Sequence, residues 1–524
     1  MDRRSVLRAG AVGAGAVASA RWLAACAPPP VTYEVDPVFD CGVASGVHDH
    51  RNTVLWTRVA PAATGGAVDV AWEVAADPGF ARIVSRGTGS ASPSTDGCVK
   101  VLAGGLEPGV DHWYRFRVDG RTSPVGRTRP LPWPGSRPGR VRLAVASCQN
   151  WGWGFFPAWR EVAALDLDAV IHVGDYIYEG SSTPALSVRS DTVGTATTLD
   201  QYRAKYRLYR SDPDLRAAHA AHAFAPVWDD HEFVNDCDRE TLVEQAERGA
   251  AAYRAWFEYQ PVWPIEGTRI HRRLRFGRQV DLSLLDTRQY RDPAPAGGKQ
   301  LVFTASPPGN EVHAAGRTIL GASQRDWLLD GFGAAADDGV TWRLVGNQVM
   351  IAPLRVVDLD FPELRQLVPD LPRNAGVYLN ADGWDGYHDE RNRLFEFLHG
   401  ERIGNVGFLT GDIHSFWQAP LLLDMEDDTS PVVGQEFVCG SVSSRAVDIA
   451  GPLAQVAEDA TDNLQPGFRH VDLSRRGFGL VECRRDRMTV EFRTVDALRP
   501  DGGPSGTTRF VWGSGTSDVA VTPG

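Results

Sequence analysis

The stretch "DLDAVIHVGDYIYE", Asp166–Glu179, sets the frame. An apolar, strand-like run ends at Gly174, and Asp175 stands just past its end with Tyr178 close behind. In α/β sheets, sites assemble at the carboxyl ends of strands, so an acid here is a candidate functional group. The same arrangement recurs three times: "ASCQN" with Cys148, "WDDHEFVND" with Asp230, His231 and Asn235, and "TGDIHSFW" with Asp412 and His414. Strand ends far apart in sequence can converge in one pocket. Taken singly, each has a plain reading: Cys148 as a buried thiol, Asp175 as a turn cap, Tyr178 as core, the acids as a solvated loop, His414 as a core histidine. Their shared placement favours a site.

Around these segments, apolar runs alternate with helix-period stretches, which argues for a layered α/β domain. The runs are "VRLAVAS", "LDAVIHVG", "AFAPVW", "QVDLSLLD", "WRLVGNQVMIA", "NVGFLTG" and "GQEFVCGSV". Helices are expected over Pro157–Leu165, Leu199–His222, Thr241–Tyr259, Ala322–Ala335 and Asp389–Leu398, and a late hairpin should turn at Arg485–Arg487. Upstream, from Val35 to Pro130, short alternating strands are separated by Gly/Pro/Asp clusters. "GLEPGVDHWYRFRV", with Tyr114 on its strand, resembles the turn and aromatic strand of fibronectin-type sandwiches. The Pro/Gly-rich "TRPLPWPGSRPGR", Thr128–Arg140, reads as a linker. The expected division is therefore a leader over 1–34, an N-terminal β-sandwich over 35–132 and a catalytic domain over 133–524.

The leader carries Arg3 and Arg4 before an Ala/Gly/Val run, which resembles a twin-arginine export signal. "LAAC" ends at Cys26, a candidate lipidation site, while "ASA" at Ala18–Ala20 is a rival cleavage site and Arg21 interrupts the apolar region. Export is the expectation: a protein secreted, or anchored at the outer face of the cytoplasmic membrane through a lipid on Cys26. The twin-arginine machinery moves folded proteins, so a cofactor can be loaded first. No later run is long enough to span a bilayer. Cys41–Cys98 and Cys439–Cys483 are candidate disulfides in an oxidising compartment, with the connectivity left open. With a formal net charge of −12 over 524 residues, the chain offers no basic face for nucleic acid. A phosphate substrate stays compatible, because bound cations reverse the local sign.

Four carboxylates crowd into "DDHEFVND", a density that repels itself unless a cation or donors compensate it. Two metal ions need a shared anionic ligand and flanking ligands of their own. Asp175 can bridge. Cys148, Tyr178 and His414 suit a transition metal, whereas Asp230, Asn235 and Asp412 suit a hard cation, so the set suggests two unlike ions.

These strings, together with "VASGVHDHRNTVLWTRV", "LDQYRAKYRLYRSDPDLRAAHA", "LLDTRQYRD" and "DGWDGY", resemble the PhoD-like alkaline phosphatases of the calcineurin-like metallophosphoesterase superfamily. The resemblance runs from about Val35 to near the C-terminus. It implies a metallophosphoesterase-type α/β/β/α sandwich holding Fe3+ and one or two Ca2+ ions. Cys148 then stands where the superfamily has Asp-x-His, and Asp175 is the bridging ligand. Tyr178 is an added iron ligand, and "DDHE" places Asp230 as a ligand and His231 as the catalytic histidine. "GDIH" places Asp412 toward calcium and His414 toward iron; Asn235 follows by local spacing. Asp229 and Glu232 become supporting acids. Arg288 and Arg291 are candidate phosphate clamps, or else ion-pair partners of Asp286 or Asp292.

The implied activity is phosphodiester or phosphomonoester hydrolysis by a metal-activated hydroxide or oxide, with His231 stabilising charge or protonating the leaving group. A phospholipase D-like enzyme acting on lipid head groups, a non-catalytic phosphate-binding lipoprotein and an adhesive module are the alternatives. The tail "GSGTSDVAVTPG" offers no helix to cover the site.

Overall fold

Three runs from the sequence, Val141–Ala146, Ala169–His172 and Ala223–Pro226, lie side by side as parallel strands. Parallel strands are buried on both faces, which is why all three are almost continuously apolar. In the computed structural model, which describes residues 36–61, 65–181, 187–297, 302–305, 309–371, 375–425, 427, 429–445 and 467–523, they sit inside a ten-stranded sheet. Toward one edge the sheet continues antiparallel through Arg476–Cys483, Arg487–Val495, Pro504–Gly513 and Val519–Pro523. The hairpin expected at Arg485–Arg487 is formed, and the Gly/Ser/Thr-rich tail adds the outermost strand.

A seven-stranded sheet faces the first, in the order Arg272–Phe276, Val280–Leu284, Trp342–Asn347, Val406–Thr410, Val432–Cys439, Phe416–Leu422 and His470–Asp472. Strand alternation divides its side chains between two cores. Leu344, Leu409 and Phe437 join Leu143, Val145 and Val481 of the first sheet. Their neighbours Val345, Phe408 and Val438 instead meet Leu328, Phe332, Leu394 and Leu398 from helices Gly321–Asp337 and His388–Gly400. On the outer face of the first sheet, Trp159 from helix Pro157–Ala163 stacks on His172 and packs against Phe224. Helix, sheet, sheet and helix thus form four layers.

The segment expected as a separate sandwich contributes to two sheets, and one of them is the large sheet itself. Val43–Val47 pairs in parallel with Ala223–Pro226, and Thr53–Arg58 and Cys98–Ala103 extend the same sheet to its edge. The second sheet is built from Val68–Ala75, Ile83–Ala91, His112–Val118, Arg121–Thr122 and Gly126–Thr128. Between the two, Val43, Leu55 and Val99 pack on Val70, Trp72 and Phe116. Gly46 is needed at the junction, because a Cβ there would lie 1.6 Å from the Pro261 carbonyl oxygen.

Other expectations need correction. The helix read over Leu199–His222 is two, Leu199–Arg210 and Pro213–Ala221; Asp212 accepts the amides of Asp214 and Leu215, and Pro213 opens the second helix. Thr241–Tyr259 divides at Gln245 into Arg239–Glu244 and Ala246–Tyr259. The six cysteines from Cys41 to Cys483 are free buried thiols. Cys98 starts the strand on one side of Thr53–Arg58, and Cys41 precedes the strand on the other side, so the expected Cys41–Cys98 bridge is not formed. Cys439 lies against Gly479, four residues along its strand from Cys483, about 13 Å away. Among the described residues no helix is long and apolar enough to cross a membrane. The leader and Cys26 lie outside the described residues.

Candidate metal centre

The four segments do converge, and the backbone is bent to bring them together. Cys148, Asp175, Asp412 and His414 all have positive φ, between 56° and 67°, at strand exits. Non-glycine residues held there cost free energy, and such outliers cluster at functional sites. Two glycines permit the close approach. A Cβ on Gly174 would lie 2.3 Å from that of Asp229, and one on Gly411 would lie 2.5 Å from Ser147 Oγ.

Two groups of candidate ligand atoms result, each within 4.8 Å: Cys148, Asp175 and His414; and Asp175, Asp230 and His231. Asp175 belongs to both. Its Oδ2 accepts the Tyr178 hydroxyl at 2.9 Å, while its buried Oδ1 has no partner. The same phenol lies 3.1 Å from His414 Nε2 and receives the Ser444 hydroxyl at 2.7 Å. His414 Nδ1 faces the Arg445 carbonyl at 2.7 Å, which turns Nε2 toward the cluster. Asp230 Oδ2 accepts the Asp236 amide at 2.7 Å, and its Oδ1 is again buried and unpaired. Asp412 comes in from the far side: Arg288 Nη2 is 3.7 Å from Asp230 and 4.0 Å from Asp412. Asn235 stands apart. It is exposed, and its backbone amide donates to Glu179 at 3.1 Å.

Arg288 and Arg291 are placed differently from the clamps expected. Both are completely buried. Arg288 forks onto Asp229 through Nε and Nη2 and reaches Asp382 at 2.8 Å. Arg291 pairs with Asp382 at 2.9 Å and donates to the Tyr387 hydroxyl at 2.9 Å. Their ion-pair partners are Asp229 and Asp382, not Asp286 or Asp292. Glu232 accepts three backbone amides, from Asp175, Tyr176 and Asp229, at 2.7–3.0 Å, so it ties the two ligand loops together.

Electrostatics separate these groups. Burial, reinforced by Asp230, Asp229 and Glu232, raises the Asp175 carboxyl well above the usual carboxylate range. Burial and the Asp175 charge likewise raise the Cys148 thiol and the Tyr178 phenol. Burial lowers His414 to about 4. Without a counter-charge, then, Cys148, Asp175, Tyr178 and His414 favour their neutral forms, whereas Arg288 and His231, against the effect of burial, hold the Asp230 carboxyl well below the usual carboxylate range. A cation reverses that preference, since metal ligation takes deprotonated thiolate, carboxylate and neutral imidazole. The two orphaned carboxylate oxygens and the S/N/O donor set fit a pair of metal ions. Burial alone would depress His231, but Asp230, Asp175 and a 2.7 Å bond to Glu179 hold it well above its ordinary value.

Four participants went unread in the sequence. Glu179 closes the "GDYIYE" string and Asp382 opens "DGWDGY", so both lay inside recognised motifs without a role. Trp153, whose ring is 6.2 Å from Tyr178 and 6.4 Å from His414, follows "ASCQN" closely. Ser444 had no local signal at all.

Comparison with known proteins identifies the family. The family model of the PhoD-like phosphatase matches residues 143–492, and that of the PhoD-like phosphatase N-terminal domain matches 25–132. Alkaline phosphatase D of Bacillus subtilis (strain 168) is 34% identical over 468 residues, covering 85% of this chain and 75% of that protein. The solved structure of PhoD superposes with a TM-score of 0.83 at 31% identity, over 94% of this chain and 93% of its own. Purple acid phosphatase PPD1 from yellow lupin (Lupinus luteus) shares the fold alone, with a TM-score of 0.52 at 11% identity over 89% of this chain and 73% of its own. The chain therefore belongs to the PhoD-like phosphatases and is a phosphoric ester hydrolase.

Proposed function

We propose that the enzyme is an exported, metal-dependent hydrolase of phosphodiesters, phosphomonoesters or both that binds Fe3+ and calcium in the cluster around Asp175. Cys148, Tyr178 and His414 would hold the iron, and Asp230 and Asp412, with Asn235 at the exposed side, would hold one or two calcium ions. Asp175 would be shared. The observation that carries the reading is that carboxylate: one residue common to two donor groups, with a buried oxygen left unpaired. When bound, the ions supply Lewis acidity and lower the pKa of water at the site.

The remaining chemistry falls to the chain's own groups. His231 is the proposed proton donor to the leaving oxygen. Glu179 orients its ring by accepting from Nδ1, which leaves Nε2 for the substrate. The Nδ1 bond fixes the tautomer, as in other histidine–carboxylate pairs. Trp153 and Tyr178 wall the histidines and limit water around them. Arg288 lends positive charge from behind Asp230 and Asp412 without leaving its own carboxylates.

The assignment is tested by elemental analysis of the purified enzyme beside paired assays on a chromogenic diester and monoester. Iron and calcium in near-stoichiometric amounts, with turnover lost on calcium chelation and restored by calcium, are expected. Full activity in protein free of both metals would overturn it. Export through Arg3 and Arg4, and a lipid on Cys26, belong to the same proposal; Arg3→Lys with Arg4→Lys should retain the protein in the cytoplasm.

A further inference from the structure

One short segment touches Cys148, Tyr178 and His414, the residues assigned to iron alone. Strand Val432–Cys439 ends at Gly440, which turns at a φ of 66° where a Cβ would lie 2.5 Å from the Phe416 ring. The chain then runs back beside the ligand loops of the first sheet. The amides of Ser443 and Ser444 donate to the Cys148 carbonyl at 3.4 and 3.1 Å. The Ser444 hydroxyl donates to the Tyr178 oxygen at 2.7 Å, and the next residue, Arg445, presents its carbonyl to His414 Nδ1 at 2.7 Å. Asp230 is held from elsewhere, by the Asp236 amide.

The contact to Tyr178 has a fixed direction. Ser444 Oγ accepts the Asn150 amide at 3.1 Å, so its own proton is left for the phenol. The phenol in turn donates to Asp175 Oδ2 at 2.9 Å. A neutral phenol would be satisfied by Asp175 alone; a second donor matters most when the oxygen carries negative charge, as it does when it ligates a metal. Ser444 is completely buried, and its segment is pinned on both sides. The Ser441 hydroxyl and Arg476 Nε donate to the Ser444 carbonyl at 2.7 and 3.2 Å, and the Ser443 hydroxyl donates to the Asn150 carbonyl at 2.8 Å.

We propose that Ser444 is a positioning residue for the hydrolysis, acting through Tyr178: its hydroxyl fixes the phenol oxygen beside Cys148 and His414 and lowers the energy of that oxygen's donor electrons. On the iron assignment proposed above, weaker donation from Tyr178 leaves the bound ion a stronger Lewis acid. Ser443, its neighbour, holds the same loop but touches no ligand atom with its side chain, and so separates tuning from mere support.

Visible absorption of the iron-loaded enzyme tests this, because a phenolate on Fe3+ absorbs by charge transfer from the oxygen, and a hydrogen bond to that oxygen raises the transition energy. Ser444→Ala should move the band to longer wavelength and lower kcat by about 10–100-fold with KM nearly unchanged. Ser444→Thr, which keeps the hydroxyl, and Ser443→Ala should leave the band in place. An unmoved band in iron-loaded Ser444→Ala, a fall in kcat without the shift, or an equal shift in Ser443→Ala would each overturn the role. Should Ser444→Ala fail to fold, the wild-type apoenzyme reloaded with iron in D2O decides instead: the phenolate stretch in resonance Raman should differ from that in H2O, and an identical frequency would overturn the role. Wild-type enzyme without iron or without the band would defeat the iron assignment itself, and this role with it, so the two failures are told apart before any substitution is made.

Discussion

Asp229 and Asp230 are consecutive, equally buried and treated in opposite ways. Asp229 spends both oxygens on Arg288, which in turn holds Asp382, and Asp382 holds Arg291. Asp230 receives one backbone amide and the same arginine only at 3.7 Å, and its other oxygen is buried without a hydrogen bond. Burying an unpaired carboxylate is costly, and proteins avoid it unless a cation replaces the missing partner. The difference sorts the acids by purpose. Those matched by arginine or amides, Asp229, Asp382 and Glu232, belong to the framework. Those whose free oxygen lies in the donor cluster, Asp175 and Asp230, face the proposed metal centre.

The largest effects should come from breaking the unmatched set. Cys148→Ala and Asp175→Ala are each expected to remove bound iron and to reduce turnover to background, read by elemental analysis and a chromogenic diester. Retention of both iron and turnover in either variant would reverse the sorting. His231 stands between the two sets, matched by Glu179 yet facing the unmatched acids. His231→Ala should keep the metal content and lower kcat by about 10²–10⁴, the span of a general acid. An unchanged rate would make the imidazole structural.

Stability of the metal-free enzyme gives the sharper contrast, because the two sets should shift it with opposite sign. Asp229→Ala leaves a buried guanidinium short of its partner and should destabilise by about 3–5 kcal/mol. Asp175→Asn spares the metal-free site the cost of keeping a buried carboxyl protonated and places a residue that tolerates positive φ at 59°, so a gain of about 1 kcal/mol is expected. Urea midpoints of the two variants after chelation decide the matter; shifts in the same direction would remove the distinction.

How much of this was legible in the sequence follows from what each feature depends on. The buried parallel strands announced themselves, since burial on both faces demands unbroken apolar runs such as "AVIHV". The candidate ligands at their ends were legible for the same reason: Cys148, Asp175 and His414 each come within a few residues of such a run. The sheet partner of the first N-terminal strand was not. Strand Val43–Val47 reads like any half-buried strand, and nothing local says that its neighbour, Ala223–Pro226, lies some 180 residues away. The fate of Arg288 was equally hidden, because an arginine near a phosphate site looks the same in sequence whether it faces substrate or carboxylate. Asp229 and Asp382, 59 and 94 residues distant, decide that question only once folded. Helix breaks at Asp212 and Gln245 were missed for a smaller reason: a capping aspartate before proline was present at the first, and amphipathic periodicity ran across both.

The smallest effect concerns a matched acid whose partner is chemical rather than structural. Glu179 accepts from His231 Nδ1 with one oxygen and from the Asn235 amide with the other. It therefore fixes the ring and one exposed ligand loop at once. Glu179→Gln preserves size and one acceptor but loses the charge that favours the imidazolium. A loss of about 10–100-fold in kcat is expected, the usual cost of removing a group that orients another, with KM and the urea midpoint nearly unchanged. A fall in stability without a fall in kcat would place Glu179 with Asp229 in the framework, and the line between the two sets would have to be redrawn through His231 itself.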